Sequence, residues 1–310
     1  MEWDLNKYLI WESIAGSHVY GTNTPESDVD KRGVTFVPLD IILDPFTSFE
    51  QKDKWEGGED KVIMSLAKFF ALCRNCNPNI VEFLFFPERF WTFGTDIWRR
   101  VIENRHLFLS KKARFTFSGY AHAQLHRIKR HRAWLLSPPK KKPERGDFGL
   151  PGSPLLNQDQ ISSLLVLPED FLKEEHREYA LAEKSFKQSL LYWNQYMTWR
   201  VNRNKSRAVL EEKFGYDTKH ASHLFRLIWE ADELLSTGYI TFPLPNASEI
   251  LEIKNGKYSY GEVISLVDTY EEKFENMYNK SILPHSPNEK RIRELYLEIL
   301  VERFGINTEV

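Results

Sequence analysis

The residues best suited to chemistry are a Gly-Ser pair, Gly16-Ser17, and two carboxylates one residue apart, Asp28 and Asp30. The stretch that follows, residues 33–37, is rich in the β-branched and aromatic residues typical of strands. Side chains at i and i+2 of a strand point to the same face, so Asp28 and Asp30 can converge. Hard divalent cations prefer carboxylate and phosphate oxygens as ligands. The pattern predicts a site for a metal ion and a phosphorylated ligand.

A two-metal site needs a further acid, because it must hold two cations that stabilise the attacking and leaving oxygens together. Two candidates lie just before the next strand-like run, residues 62–65. Asp60 adjoins that run and is the prediction, and Glu59 is the alternative. Gly16 lets the backbone approach a ligand closely, and a loop N–H can then hold phosphate oxygens. Taken alone, the pattern also fits a surface turn, where Gly, Ser and Asp are common.

A second set of polar residues lies in the C-terminal half. On a helix, Lys219, His223 and Arg226 recur at i, i+4 and i+7 and share one face. Such a stripe suits a triphosphate or a leaving pyrophosphate, and an ordinary polar helix face with structural histidines is the alternative. Glu82 is a lone acid in the apolar run VEFLFF and needs a partner. A basic residue of the Gly-Ser or Lys219 region is the expected partner.

The chain has 310 residues, which allows one large domain or two modest ones. Its 42% apolar content suffices for a core, and no apolar run approaches the roughly 20 residues of a membrane span. The N-terminal residues lack the pattern of a signal peptide. Only two cysteines are present, so no disulfide framework is expected. We therefore expect a cytoplasmic protein without a membrane partner.

Charge is unevenly distributed along the chain. The net charge is −2, so the molecule as a whole has no strong attraction for nucleic acid. A local basic face can still attract a phosphate backbone, although a solvated helical face explains such a run equally well. The basic segment covers residues 111–145 and contains Lys111, Lys112, Arg114, Arg127, Lys129, Arg130, Arg132, Lys140, Lys141, Lys142 and Arg145.

The order of the local patterns predicts an α+β fold. Short strand-like runs and one helix, over residues 65–75, fill the chain to about residue 110, and helical periodicity dominates from residue 111 onward. We expect a small mixed-sheet catalytic domain at 1–110 and a mainly helical domain at 111–310. The Pro- and Gly-rich stretch at 137–157 reads as a loop in the second domain.

Four separated motifs resemble one group of enzymes. The first, GSHVYGTNTPESDVDKRGV at 16–34, resembles the DNA polymerase beta nucleotidyltransferase superfamily. More narrowly, it resembles the predicted nucleotidyltransferases of phages and of some bacterial RNA-repair gene clusters. That branch also shows motifs of the types NPN..E.LF, GYA.AQ and GYD.KHA.HL.RL, found here at 77–85, 119–124 and 215–227. The resemblance spans residues 10–240 approximately.

This resemblance implies an enzyme that depends on Mg²⁺ or Mn²⁺. Gly16 and Ser17 would hold the triphosphate, and Asp28 and Asp30 would bind both metals. Asp60 would complete the site and help to deprotonate an attacking hydroxyl. That hydroxyl would attack the α-phosphate of an NTP in line and release pyrophosphate, with catalysis by positioning and charge neutralisation.

The sequence defines the acceptor of the nucleotide less clearly than it defines the residues that bind the metal and the NTP. The basic segment and the RNA-repair association of similar proteins favour RNA, either a tRNA or a broken RNA end. One alternative is transfer of a nucleotide, such as AMP from ATP, to a protein hydroxyl. The other is a non-catalytic module that binds RNA or nucleotides, which the intact carboxylates and Gly-Ser turn argue against. No motif fixes the choice of NTP, and a phage-encoded protein would act in the host cytoplasm.

Overall fold

A computed structural model describes residues 3–53, 55, 58, 60–168 and 173–305. A five-stranded sheet lies in the N-terminal part of the chain, in the order β3-β4-β2-β1-β5. Only β2 and β4 run parallel, and the other neighbouring pairs are antiparallel. The strands are β1 (Leu9–Ala15), β2 (Asp30–Thr35), β3 (Gln51–Lys52), β4 (Lys61–Ser65) and β5 (Trp91–Gly94).

The register of the sheet determines which residues meet at its edge. Ala15, at the end of β1, pairs with Asp30, at the start of β2. In the parallel pair, Lys31 lies opposite Lys61. The amide of Lys31 donates to the carbonyl of Asp60 over 2.8 Å, so the chain enters β4 directly beside Asp30. The sheet therefore brings the Gly-Ser turn and two of the predicted carboxylates to one edge.

Short helices cover the sheet and form its core. Ser65 caps α3, since its hydroxyl accepts the Lys68 amide, and Phe69 of α3 is fully buried. Trp11 of β1 stacks on Trp98 of α5 with ring centroids 4.4 Å apart. The helices of this part are α1 (Ser17–Tyr20), α2 (Leu39–Leu43), α3 (Leu66–Arg74), α4 (Pro78–Val81) and α5 (Asp96–Glu103). Single 3-10 turns lie at Leu5–Tyr8, Glu82–Phe85, Glu88–Phe90 and Arg105–Leu107.

The rest of the described chain is helical, apart from its connections. These helices are α6 (Ala113–Leu136), α7 (Gln158–Val166), α8 (Glu174–Asn202), α9 (Lys205–Phe214), α10 (Thr218–Thr237), α11 (Ala247–Lys254), α12 (Tyr260–Lys280) and α13 (Glu289–Phe304). A small mixed sheet followed by a mainly helical region confirms the predicted α+β class. Among the described helices, none is long and apolar enough to cross a membrane.

Contacts divide the chain into two compact units. The first comprises Met1–Ile128 and Thr218–Val310, and within it α10 packs on α11 and α12. The second comprises Lys129–Asp217. Its core includes Trp134, whose ring packs against those of Tyr192, Tyr196 and Trp199 at 5.3 to 5.9 Å. The predicted domain boundary at 110/111 stays a prediction.

Candidate active site

The Gly-Ser turn links β1 to α1. Gly16 has φ +64°, a region that favours glycine, and its carbonyl accepts the amides of Val19 and Tyr20. A Cβ on Gly16 would lie 2.2 Å from Oδ2 of Asp30, well inside any real contact distance. Glycine is therefore needed here for two independent reasons, the backbone conformation and the close approach of the Asp30 carboxyl.

Asp30 and Asp60 form a carboxyl pair at the edge of the sheet. Burial, the hydrogen bond with Asp60 and the charge on Asp60 raise the pKa of Asp30 to about 6. The same hydrogen bond lowers the pKa of Asp60, which is the more exposed partner, with 59% of its side chain accessible. The two directions agree with one proton carried by Asp30 and accepted by Asp60. Asp28 precedes β2 and is exposed.

Arg32 bridges this pair and was not singled out from the sequence. Its Nη1 lies 3.1 Å from Asp60 Oδ1, and its Nη2 lies 3.6 Å from Asp30 Oδ1. Asp30 and Arg32 alternate along β2 and so share a face, which is the signal that could have revealed this residue. Its guanidinium offsets part of the negative charge that the carboxylates place at the sheet edge.

The residues at this edge fit a divalent cation. The side chains of Asp30 and Asp60 offer the hard oxygen ligands that Mg²⁺ and Mn²⁺ take. Within the described part of the chain, the structure does not bring Asp28 into contact with this pair, so its part in the site stays a prediction. Burial, together with the neighbouring Asp60, raises the pKa of Asp30, and a bound cation would stabilise its ionised form. Gly16 leaves room on the side of Asp30 where a side chain would otherwise lie. Glu59, the alternative third acid, lies outside the described residues.

The three residues predicted to share a stripe of α10 have different surroundings. Lys219 is half-buried, and its charge lowers the pKa of Asp30, so it lies close enough to act on the carboxyl pair. His223 is also half-buried, one turn further along. Arg226 is 6% exposed and lies in a buried network. Of the predicted stripe, Lys219 is the residue that the structure brings to the carboxylates.

Glu82, Arg226 and Glu230 are buried, and with the half-buried Tyr20 and the exposed Asn79 they form a network that we call the Arg226 cluster. Nη1 of Arg226 donates to Glu82 over 2.9 Å, to Tyr20 over 3.0 Å and to Glu230 over 3.1 Å. Its Nη2 donates to Asn79 over 3.3 Å. The Tyr20 hydroxyl in turn donates to Glu82 over 2.9 Å. The expectation that Glu82 needs a basic partner from the Lys219 region is thereby confirmed.

The Arg226 cluster contains more negative than positive groups. Burial and the opposing carboxylate raise the pKa of Glu230 to about 8, and burial also raises the pKa of Glu82. Burial alone would lower the pKa of Arg226, but the charges of Glu230 and Glu82 raise it. One guanidinium cannot balance two buried carboxylates, so a proton on Glu230 at neutral pH removes the excess charge.

The Arg226 cluster contains residues of three of the four sequence motifs, and a separate hydrogen bond connects the third motif to the late one. Tyr20 belongs to the Gly-Ser motif, Glu82 to the second motif and Arg226 to the late motif. In the third motif, Gln124 of α6 is hydrogen-bonded to His220 of α10 over 2.8 Å. All four motifs therefore meet within the first unit, around the edge of the sheet that carries the carboxylates.

A mixed sheet that places a Gly-Ser turn beside paired carboxylates is the arrangement expected of a DNA polymerase beta-like nucleotidyltransferase. Residues 1–136 match the family RlaP, described as an RNA repair pathway DNA polymerase beta family. The resemblance inferred from the motifs is therefore confirmed, and this family suggests nucleotidyl transfer in RNA repair.

A phage protein supports the narrower branch of the resemblance. The chain is 26% identical over 288 residues to an uncharacterized 38.9 kDa protein in the nrdC-mobD intergenic region of Enterobacteria phage T4. The similarity covers 81% of this chain and 84% of the phage protein. No solved structure matches.

Proposed function

We propose that this protein is a Mg²⁺-dependent nucleotidyltransferase that transfers a nucleoside monophosphate from an NTP to an RNA hydroxyl and releases pyrophosphate. The observation that carries the proposal is the Asp30–Asp60 carboxyl pair, held beside Gly16 and influenced by the charge of Lys219. A structural ion pair would not need a glycine in such close approach to Asp30, together with two nearby cations, Arg32 and Lys219.

The side chains at the sheet edge would bind the cation and the nucleotide. Asp28, Asp30 and Asp60 would hold Mg²⁺, or Mn²⁺ in its place, which neutralises charge on the phosphate oxygens when bound. Gly16 and Ser17 would receive the triphosphate at the turn between β1 and α1. Lys219 and His223 would approach the phosphates from α10.

The proton and bond changes follow from the positions of these groups. The acceptor hydroxyl attacks the α-phosphorus, a new P–O bond forms, and the bond to pyrophosphate breaks. Asp60 accepts the hydroxyl proton, because the lowered pKa keeps its carboxylate ionised and its side chain is accessible. Lys219, whose charge acts on Asp30, would stabilise the charge that develops on the leaving pyrophosphate.

The contacts of Arg226 favour a structural role over direct nucleotide binding. The predicted contact between Arg226 and the nucleotide stays a prediction. All four of the hydrogen-bond acceptors named for its guanidinium belong to the cluster, and the residue is almost fully buried. We propose that it holds Tyr20, and with it the helix that follows Ser17.

RNA is the acceptor that the comparisons favour. The matching family is described by RNA repair, and the basic segment supplies cations that suit a phosphate backbone. We propose a tRNA or a broken RNA end as acceptor. We also place the reaction in the cytoplasm, or in the host cytoplasm if the protein is phage-encoded.

A transfer assay tests this proposal. The purified protein is incubated with Mg²⁺, each of the four α-labelled NTPs, and tRNA or a short RNA. We expect labelled RNA, and a loss of at least a hundredfold in Asp30→Asn and Asp60→Asn. Asp268→Asn is the matched control, because Asp268 is exposed on α12, far along the chain from the site.

Two outcomes would contradict the proposal in different ways. Label on protein rather than RNA would replace the acceptor and keep the transferase. The absence of transfer with Mg²⁺ and with Mn²⁺, for every NTP and acceptor, would overturn the enzyme and favour a binding module.

A further inference from the structure

The exposed side of α6 carries aromatic residues where a soluble surface would have polar ones. Phe115 is 58% exposed and Tyr120 is 37% exposed. Gly119 lies between them in the helix, one turn after Phe115, and a Cβ there would meet nothing within 4 Å. Because the two aromatic residues are five positions apart, their rings lie about 140° apart around the helix axis, and the open surface at Gly119 lies between them.

Cations and a third ring surround the Phe115 end of this surface. Lys111 Nζ lies 5.3 Å from the ring centre of Tyr278, and the Arg114 guanidinium lies 5.3 Å from that of Phe115. The rings of Phe115 and Tyr278 meet edge to face at 5.6 Å. Cations interleaved with exposed rings are the chemistry of surfaces that bind single-stranded nucleic acid.

The other end of the surface leads toward the carboxylates. The Tyr120 hydroxyl accepts a hydrogen bond from Asn77 over 2.9 Å. One turn later, Gln124 is hydrogen-bonded to His220, the residue that follows Lys219 on α10. From Phe115 to Gln124 the helix advances about 14 Å, the length of a few nucleotides, and Gln124 lies about half a turn away around the axis, so a strand joining them would cross α6 obliquely.

We propose that the α6 track, defined as Lys111, Arg114, Phe115, Gly119 and Tyr120, binds the single-stranded end of the acceptor RNA and leads it to the carboxyl pair. The inference rests on the proposed function and adds to it the form of the acceptor. Bases stack on Phe115 and Tyr120, and Lys111 and Arg114 pair with phosphates. Stacking on a protein ring needs unpaired bases, so the acceptor end is single-stranded rather than duplex.

Binding of a labelled RNA tests the α6 track independently of catalysis. Fluorescence anisotropy of the full chain with a 12-nucleotide single-stranded RNA, at low salt and without NTP, measures affinity. Phe115→Ala and Tyr120→Ala should each weaken binding about fivefold or more. Phe46→Ala is the matched control, because Phe46 is 93% exposed in the turn that follows α2.

Gly119→Leu is a second variant that separates binding from folding. Leucine favours helix more than glycine does, so this change strengthens α6 while filling the step between the rings. We expect unchanged or higher thermal stability together with RNA binding weakened about tenfold. A blunt-ended RNA duplex of the same length should bind the wild type at least tenfold more weakly than the single strand.

The outcomes distinguish this inference from the proposed function. If the wild type transfers nucleotides to RNA while the Phe115 and Tyr120 variants bind RNA as Phe46→Ala does, the track is wrong and the transferase stands. If the variants lose RNA binding but no NTP is consumed, the track stands and the transferase proposal fails. If the wild type binds duplex and single-stranded RNA equally well, or binds no RNA, the proposed α6 track is wrong. If it binds a protein acceptor at these residues instead, they form a protein-binding surface.

Discussion

Replacement of Arg226 by methionine should destabilise the fold strongly without removing a nucleotide ligand. Methionine keeps the length and apolar stem of the side chain but removes the guanidinium and its hydrogen bonds to four residues. Glu82 and Glu230, which are 3% and 1% exposed, would then face each other without a cation. Removal of one partner of a buried ion pair costs about 3–5 kcal/mol, and we expect a loss of free energy of unfolding in that range.

Urea unfolding at pH 7.5, followed by tryptophan fluorescence, measures this loss. Lys219→Met is the comparison, because Lys219 is half-buried on the same helix and its loss should cost about 1 kcal/mol or less while weakening nucleotide binding. The double variant Arg226→Met/Glu230→Gln should recover part of the stability, since a buried glutamine is neutral without a proton, whereas Glu230 must take one up on folding.

The reasoning would be refuted by the reverse pattern. If Arg226→Met unfolds within about 0.5 kcal/mol of the wild type and binds NTP much more weakly, Arg226 is a nucleotide ligand and the Arg226 cluster is not a structural unit. A double variant no more stable than the single one would also contradict the charge argument.

The remaining predictions concern the protonation of Glu230, the close approach of Gly16 to Asp30, and the ion pairs of Arg32. The folded state holds a proton on Glu230 up to about pH 8, whereas the unfolded chain releases it near pH 4.5. The free energy of unfolding should therefore fall as pH rises between about 5 and 8, by up to about 1.4 kcal/mol per pH unit from this group. Glu230→Gln should remove that slope in unfolding curves at several pH values, and parallel curves for variant and wild type would contradict the assignment. Gly16→Ala places a Cβ against Asp30, so it should abolish the Mg²⁺ binding detected by calorimetry and lower the free energy of unfolding by about 1–3 kcal/mol. If the alanine variant binds Mg²⁺ as the wild type does, glycine is not needed beside Asp30. Arg32→Gln removes the cation that competes for Asp30 and Asp60, so Mg²⁺ should bind several-fold more tightly in the same assay, and weaker binding would show that Arg32 positions the carboxylates instead.

The local part of the site could be predicted from the sequence because strand geometry determines it. The parallel pairing of β2 with β4 places Asp60 beside Asp30. Asp28 lies two residues before β2 begins at Asp30, so the expected strand alternation does not extend to it, and its place in the site stays a prediction. The glycine at position 16 indicated that the backbone approaches a ligand closely, but it did not indicate the close approach of the Asp30 carboxyl.

The long-range part could not be predicted in the same way. Helical periodicity shows that Lys219, His223 and Arg226 share a stripe, but it does not show which part of the stripe faces the core. Tyr20 and Arg226 are 206 residues apart, and no local pattern records their contact. The ion pairs of Arg32 with Asp30 and Asp60 depend on the packing of two strands that are distant in sequence.

The most direct test of the central claim is a crystal structure with Mn²⁺ and a non-hydrolysable NTP, with anomalous scattering used to locate the metal. The account predicts an anomalous peak coordinated by Asp28, Asp30 and Asp60, with the triphosphate at Gly16-Ser17 and Lys219 beside it. A metal bound elsewhere, or an Asp60 side chain turned away from Asp30 in the loaded site, would contradict it.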